Sequence, residues 1–334
     1  ISTRSPGGLL LGREGEEGTR RYRAFLHYQA DIPQHSETSP SGNTVTHNIN
    51  GGIAYRFPFG LTLSLNNEFS RSYERLDSVL SGGEVDRFRG NLLYLSASLD
   101  TGSRLRLRVD YSNFLLRYDA DRNDRLNRDD NFFSAYVFYR LWPRTALFAQ
   151  YTFTDIRYTD NATTNSKEHG LLGGFDWDMT AKTRGSVKAG WGKKDFTDFS
   201  TSNFIYEGKV DHRFSPKASV SVTAFGQTSE TNIPAAFYTL DRGAIVNFQH
   251  MVSSRVTGWA SFSYTNQKYG QPLTFDGKTE KRRDNYYEAS AGIDYWFKKG
   301  LKAGISYAFA TRKSNISAFD YQSNTVVFNI KGAI

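Results

Sequence analysis

The sequence predicts an all-β protein, a 16-stranded antiparallel transmembrane β-barrel with short periplasmic turns and longer extracellular loops, and three observations carry that prediction. Segment after segment alternates apolar and polar side chains over ten or more residues, the period of a strand with one dry and one wet face. The connections between segments alternate between short and long. The apolar parity brings aromatic side chains to both ends of the segments, as two interfacial girdles require. A soluble sandwich of strands near roughly 5–6 residues would leave the same stripe as one exposed apolar belt.

The elements follow in order. In 20–32, Tyr22, Ala24, Leu26, Tyr28, Ala30 and Ile32 share one face, with Arg21, Arg23 and Phe25 on the other. In 44–57 the outward set Val45, Ile49, Ile53, Tyr55 and Phe57 opposes Asn48, Asn50 and Arg56, and after Pro58-Phe59-Gly60 the segment 61–73 sets Leu61, Leu63, Leu65 and Phe69 against Asn66 and Glu68. This is a hairpin signal. The same parity turns Tyr94 and Asp100 inward from 91–101, and Arg104, Arg106 and Arg108 from 104–116. Phe132, Tyr136, Phe138 and Arg140 turn inward from 131–142, Phe148 from 146–157, and Asp176 and Asp178 from 169–179. Segment 184–195 contributes Arg184 and Lys188, 203–214 contributes Glu207, Asp211 and Arg213, 218–229 contributes Phe225, and 237–249 contributes Asp241. Inward from the last four segments come Arg255 and Trp259 (255–265), Tyr286, Glu288 and Asp294 (285–297), Lys302 (301–311) and Lys331 (323–334). Residues 1–18 form a polar, glycine-containing periplasmic tail, and the barrel takes 19–334.

Sixteen strands enclose an aqueous lumen, whereas eight are filled by their own side chains. No separate plug domain fits in the remaining residues, so side chains or infolded loops must narrow the lumen. In the half near the short turns thirteen inward cations, Arg21, Arg23, Arg56, Arg104, Arg106, Arg108, Arg140, Arg184, Lys188, Arg213, Arg255, Lys302 and Lys331, face five inward acids. A basic periplasmic mouth of this kind draws anions into a water-filled channel. Alternatively, the same residues form ion-pair ladders that stiffen the wall. The inward rings Phe25, Tyr94, Tyr136, Phe148, Trp259 and Tyr286 either stack on sugar rings or pack on one another.

Composition excludes several classes. Of 334 residues 38% are hydrophobic and none is cysteine, so no apolar run spans a membrane as a helix, and disulfides, Cys-ligated zinc, iron–sulfur clusters and thioether-linked haem are ruled out. The net charge of +8 is scattered around the expected lumen rather than gathered on one helix, which argues against nucleic acid. Asp119, Asp121, Asn123 and Asp130 have a calcium-loop-like spacing, but Asp124 stands where glycine belongs. The six histidines fit no zinc pattern, and no resident cofactor is expected. His47 and Asn67 lie on neighbouring segments at different heights with no outward serine beside them, so no lipid-cleaving triad forms and no enzyme is expected. Arg71 and Arg242 face outward near the long-loop rim, where they touch lipopolysaccharide phosphates or simply snorkel.

In its Tyr/Phe/Arg-rich segments, such as 104–116 and 285–297, the chain resembles bacterial outer-membrane β-barrel porin-like proteins, and most of all the porins associated with exopolysaccharide secretion. The resemblance covers 20–334 as a pattern, without a diagnostic motif. It implies an outer-membrane location, contact with outer-membrane lipid and lipopolysaccharide, and a pore through which polymer leaves with the help of a periplasmic polysaccharide-export protein. The expected function is a conduit for anionic solutes or an anionic polysaccharide; the alternatives are a general diffusion porin and a barrel sheath or docking partner for a periplasmic or electron-carrying protein.

Overall fold

The computed structural model describes residues 21–35, 45–73, 86–231, 233–298 and 301–333, so the expected tail over 1–18 lies outside the described residues. In chain order the strands are β1 (Tyr22–His35), β2 (Thr46–Arg56), β3 (Leu61–Tyr73), β4 (Arg87–Asp100), β5 (Leu105–Tyr118) and β6 (Arg128–Trp142). There follow β7 (Thr145–Tyr158), β8 (Ser166–Thr180), β9 (Thr183–Phe196), β10 (Ser200–Ser215), β11 (Ala218–Glu230) and β12 (Tyr238–Met251). The last are β13 (Val256–Tyr269), β14 (Leu273–Phe275), β15 (Lys278–Glu280), β16 (Arg283–Lys298), β17 (Leu301–Ser314) and β18 (Tyr321–Ala333). All but β14 and β15 form one closed antiparallel barrel of sixteen strands, each paired with its neighbours in sequence and the circle completed by β1 against β18. β14 and β15 make a separate small hairpin in the connection between β13 and β16, which the alternation did not reveal.

Each of the sixteen expected segments is a strand, and their short-turn ends agree closely with expectation. Their long-loop ends run further: β4 begins at Arg87 rather than 91, β6 at Arg128 rather than 131, and β10 at Ser200 rather than 203. The reason is chemical. Leu116, Tyr118 and Ile156 occupy inward positions near that rim and are buried, while Arg87, Arg89, Arg117 and Arg157 hold outward ones, so the apolar-out, polar-in alternation is inverted there.

Elsewhere the burial pattern is the inverse of a soluble protein's. Ile53, Leu107, Val137, Leu171, Ile293 and Ile330 are exposed on the outer surface, as are the girdle residues Phe133, Trp191, Phe204, Phe214, Phe248 and Phe297. An outward apolar face of this extent is satisfied only by lipid. The first hairpin turn depends on Gly60, which has φ +93° and whose missing Cβ would stand 2.2 Å from the Asp100 carbonyl oxygen.

Candidate functional site

The lumen near the short turns has two walls of different charge. On the β4–β10 side six cations are matched by acids: Arg140 lies 3.6 Å from Asp100, Arg106 3.9 Å from Asp176, Arg184 3.0 Å from Asp178, Arg108 2.8 Å from Asp110, Lys188 3.4 Å from Glu207 and Lys209 3.5 Å from Asp211. Lys302 on β17 pairs with Asp294 of β16. On the β1–β2 side Arg21, Arg23 and Arg56 are exposed and make no ion pair among the described residues. Arg56 donates its backbone N–H to the Arg21 carbonyl, which sets the two side chains opposite each other, and Arg23 follows two residues along β1. Arg213 on β10 is likewise exposed and makes no ion pair among the described residues. An ion-pair ladder thus runs along one wall, and on the other Arg21, Arg23 and Arg56 make no ion pair among the described residues.

Two of the thirteen expected inward cations behave differently. Arg104 and Arg255 sit in short turns, where strand parity no longer applies, and their guanidinium groups donate to the hydroxyls of Tyr139 at 3.4 Å and Tyr295 at 3.5 Å, side chains of the outward row. Both belong to the periplasmic rim rather than to the lumen. Lys331 takes its place in β18 opposite Gln29 and Lys302, but its side chain lies outside the described residues. Sequence reasoning passed over Lys209 and Asp110, although strand parity alone places both inward.

The inward rings divide into two kinds. Phe25, Phe148, Phe225 and Trp259 each lie across from a glycine on the neighbouring strand, respectively Gly52, Gly174, Gly243 and Gly292. A Cβ on any of these glycines would come within 3 Å of the ring, so the rings lie flat on the wall and leave the lumen open. Tyr136 and Phe138 stack at 5.7 Å beside Phe148, and they carry the guanidinium groups of Arg108 at 5.4 Å and Arg106 at 4.1 Å over their faces. Arg108 also donates to the Tyr94 hydroxyl at 2.6 Å, while Gln150 donates to that of Tyr136 at 2.8 Å. Tyr286 belongs to the other end of the barrel, hydrogen-bonded with Asp284 and Arg312.

Toward the long loops the lumen is packed. Arg128, Asp130, Glu168, Lys194, Glu230 and the Tyr158 hydroxyl form one buried network in which Lys194 pairs with Glu230 and lies 3.8 Å from Glu168, and Arg128 lies 3.3 Å from Asp130. Arg128 also comes within 4.0 Å of Glu230. Their strands, β6 and β11, are five apart in the barrel, roughly 24 Å of wall. An arginine and a glutamate cannot bridge that span on a round barrel, so this end of the wall folds inward. Leu126 after β5, Tyr158, Asn161 and Thr164 around the end of β7, and Thr231 and Phe237 after β11 meet around a void too tight for water. Phe237 adopts φ 61°, a strained setting for a bulky residue, wedged edge-on against Phe196 and Phe199. A second buried knot, Arg282 paired with Asp284 and stacked over Phe319 at 3.8 Å, holds the loops of β16–β18. The expected narrowing by side chains and infolded loops is thus at the outer end.

The calcium-like spacing does not become a site. Asp119 engages Arg71 and Arg89 on the outer surface, Asp130 faces Arg128 in the lumen, and no cluster of acidic or histidine side chains among the described residues could hold a metal. Strand parity places Asp119 and Asp130 on opposite sides of the wall, which a linear spacing does not register.

A closed sixteen-strand barrel with a lipid-facing exterior and a charged interior is a transmembrane β-barrel of the porin type. The family model "Putative beta-barrel porin 2" matches residues 97–333, and the chain belongs to that family. No curated protein matches the chain. Among solved structures it is similar to CdiB from Acinetobacter baumannii, with TM-score 0.58, 9% identity, and 93% of this chain aligned to 60% of that one. It is also similar to a bacterial polysaccharide outer membrane secretin, at TM-score 0.43 and 12% identity over 93% of this chain and 98% of that one, and to OccAB3 of Acinetobacter baumannii, at TM-score 0.48 and 8% identity over 94% and 99%. At such identities the similarity is one of fold. Membership of that family makes the protein an outer-membrane pore, and short turns face the periplasm in such barrels.

Proposed function

We propose that this barrel conducts anionic solutes, and anionic polymers threaded from the periplasm, through a vestibule whose selectivity is set by Arg21, Arg23 and Arg56. The observation that carries the reading is the segregation of charge: Arg21, Arg23 and Arg56, close in register on β1–β2, make no ion pair among the described residues, while between β4 and β10 every expected inward cation near the short turns except Arg104 and Arg213 is paired with an acid. In a low-dielectric tube an unneutralised cluster raises the local anion concentration, which a self-paired ladder does not. The aromatic–arginine wall of Phe138, Tyr136, Arg106 and Arg108 adds faces and N–H donors suited to sugar rings bearing carboxylates. The reading is of a non-catalytic conduit, and a periplasmic polysaccharide-export protein is the partner it calls for.

The reversal potential of the purified barrel in planar bilayers across a KCl gradient tests this. The wild type passes chloride in preference to potassium, and Arg23→Ser/Arg56→Ser loses that preference while Arg104→Gln keeps it. A cation-selective or non-selective wild type refutes the proposal. A wild type with no conductance favours the sheath or docking reading, which the packed outer end supports.

A further inference from the structure

The outer surface carries a second concentration of positive charge, which the pore does not use. Register places His47 opposite Arg71, Arg71 opposite Arg89, and Arg89 opposite Arg117 across β2–β5. Arg87 stands on the same face two residues from Arg89. All share the outward parity of Ile53, Leu65, Leu95 and Leu107. Like charges directly opposite on neighbouring strands destabilise a sheet, and here three arginines are aligned in succession.

Among the described residues two carboxylates answer them. Asp119 receives Arg71 at 3.3 Å and Arg89 at 3.1 Å, and Asp129 pairs with Arg117 at 2.5 Å. Four arginines against two aspartates leave a charge of 4 − 2 = +2. The Arg71 and Arg89 side chains remain 52% and 55% exposed.

The height of the row fixes what it meets. Outward residues of β5 from Leu105 to Leu115 are apolar or aromatic except Asn113. Ten steps of about 3.4 Å along a strand tilted about 40° rise roughly 26 Å, the thickness of the apolar band. Arg117, the next outward residue, and its partners Arg89 and Arg71 therefore stand at the headgroup level of the outer leaflet. Isolated arginines there would only snorkel; here Arg71 and Arg89 converge at Asp119 with Arg87 and Arg117 on the same face beside them, a grouping of guanidinium donors suited to a phosphate.

We propose that the Arg71–Arg87–Arg89–Arg117 patch is a binding site for the phosphate of a phosphorylated glycolipid of the outer leaflet, the class that includes lipopolysaccharide. Native mass spectrometry of the full barrel in detergent tests it, with diphosphorylated lipid A, its dephosphorylated form and inorganic phosphate as probes. The wild type retains the phosphorylated lipid, and removing the phosphates or introducing Arg71→Gln/Arg89→Gln weakens retention about tenfold or more, each interfacial arginine contributing to attraction for an anionic headgroup. Arg242→Gln, on the outward face of β12, leaves it unchanged. The proposal fails if the dephosphorylated lipid binds equally well, if the double variant binds as the wild type does, if Arg242→Gln loses as much, or if inorganic phosphate displaces the lipid. The comparison of the two lipids on the wild type decides the matter even if the double variant does not fold.

Discussion

Lys194→Met removes the cation at the centre of the buried network at the outer rim. In the native protein Arg128 and Lys194 face Asp130, Glu168 and Glu230, two cations against three carboxylates, and Lys194 is only 2% exposed. After the substitution one guanidinium serves three carboxylates. Glu168 loses its one ion pair among the described residues, and Glu230 retains the Tyr158 hydroxyl at 2.8 Å and Arg128 at 4.0 Å. Breaking a buried pair by removing one partner costs about 3–5 kcal/mol, because the remaining charge stays desolvated. At roughly 2 °C per kcal/mol for a chain of this size, the midpoint of heat unfolding falls by about 6–10 °C. The mobility difference between folded and unfolded barrel on a denaturing gel, followed against temperature, reads that fall. Lys194→Met/Glu230→Gln leaves one fewer orphaned carboxylate, so the double variant costs less than the sum of the two single ones. A fall below about 2 °C, or strict additivity of the two substitutions, would refute the claim that this network is buried and coupled.

Four further outcomes follow from other parts of the barrel. Gly292→Ala brings a Cβ to 2.7 Å from the Trp259 indole, so the ring lifts off the wall; conductance falls, and Trp259→Ala/Gly292→Ala restores it. Gly60→Ala, at φ +93° with the Asp100 carbonyl 2.2 Å from the new Cβ, lowers the heat-unfolding midpoint by several degrees through a cost above about 1 kcal/mol. Arg106→Gln removes a half-exposed cation held by Phe138 and, at 3.9 Å, by Asp176; it costs about 1 kcal/mol or less, and equilibrium unfolding in urea reads the difference. Asp320, in the β17–β18 loop, has its carboxyl held below the usual range, first by the Ser314 backbone N–H and then by Lys313. A depressed folded pKa means this tether is present above the ordinary carboxylate pKa of about 4 and is lost as pH falls through the folded value, so Asp320→Asn abolishes any acid-induced rise in protease cleavage of that loop.

The barrel was legible because a bilayer outside and water inside impose opposite demands on alternate residues of every strand. Where that contrast holds, as around Arg23, Arg56 and Arg108, the face of each side chain follows from counting by two. It fails in two places for two reasons. In the short turns the chain reverses direction, so Arg104 and Arg255 escape their parity and reach the outer tyrosines instead. At the outer rim the inward row becomes apolar, and the strands run past their apparent ends. The network of Arg128, Lys194 and Glu230 was illegible for a further reason: its members come from β6, β9 and β11, and only the inward folding of the wall brings them together.

Register, in contrast to parity, carries information that composition hides. Counting by two puts Arg71, Arg89 and Arg117 outward as three separate residues, each open to dismissal as a snorkelling side chain. Only the pairing of β3 with β4 and β4 with β5 makes them neighbours. The same step turns Phe148 and Gly174 into a ring lying on a bare stretch of wall, and it turns Arg21 and Arg56 into an opposed pair with no acid partner among the described residues. Repulsion inside such an aligned pair lowers stability, and nothing in the fold requires it. Two of the places where this barrel accepts that penalty, one facing the lumen at the periplasmic mouth and one facing lipid at the outer rim, are therefore places where an anion from outside the chain has repulsion to relieve.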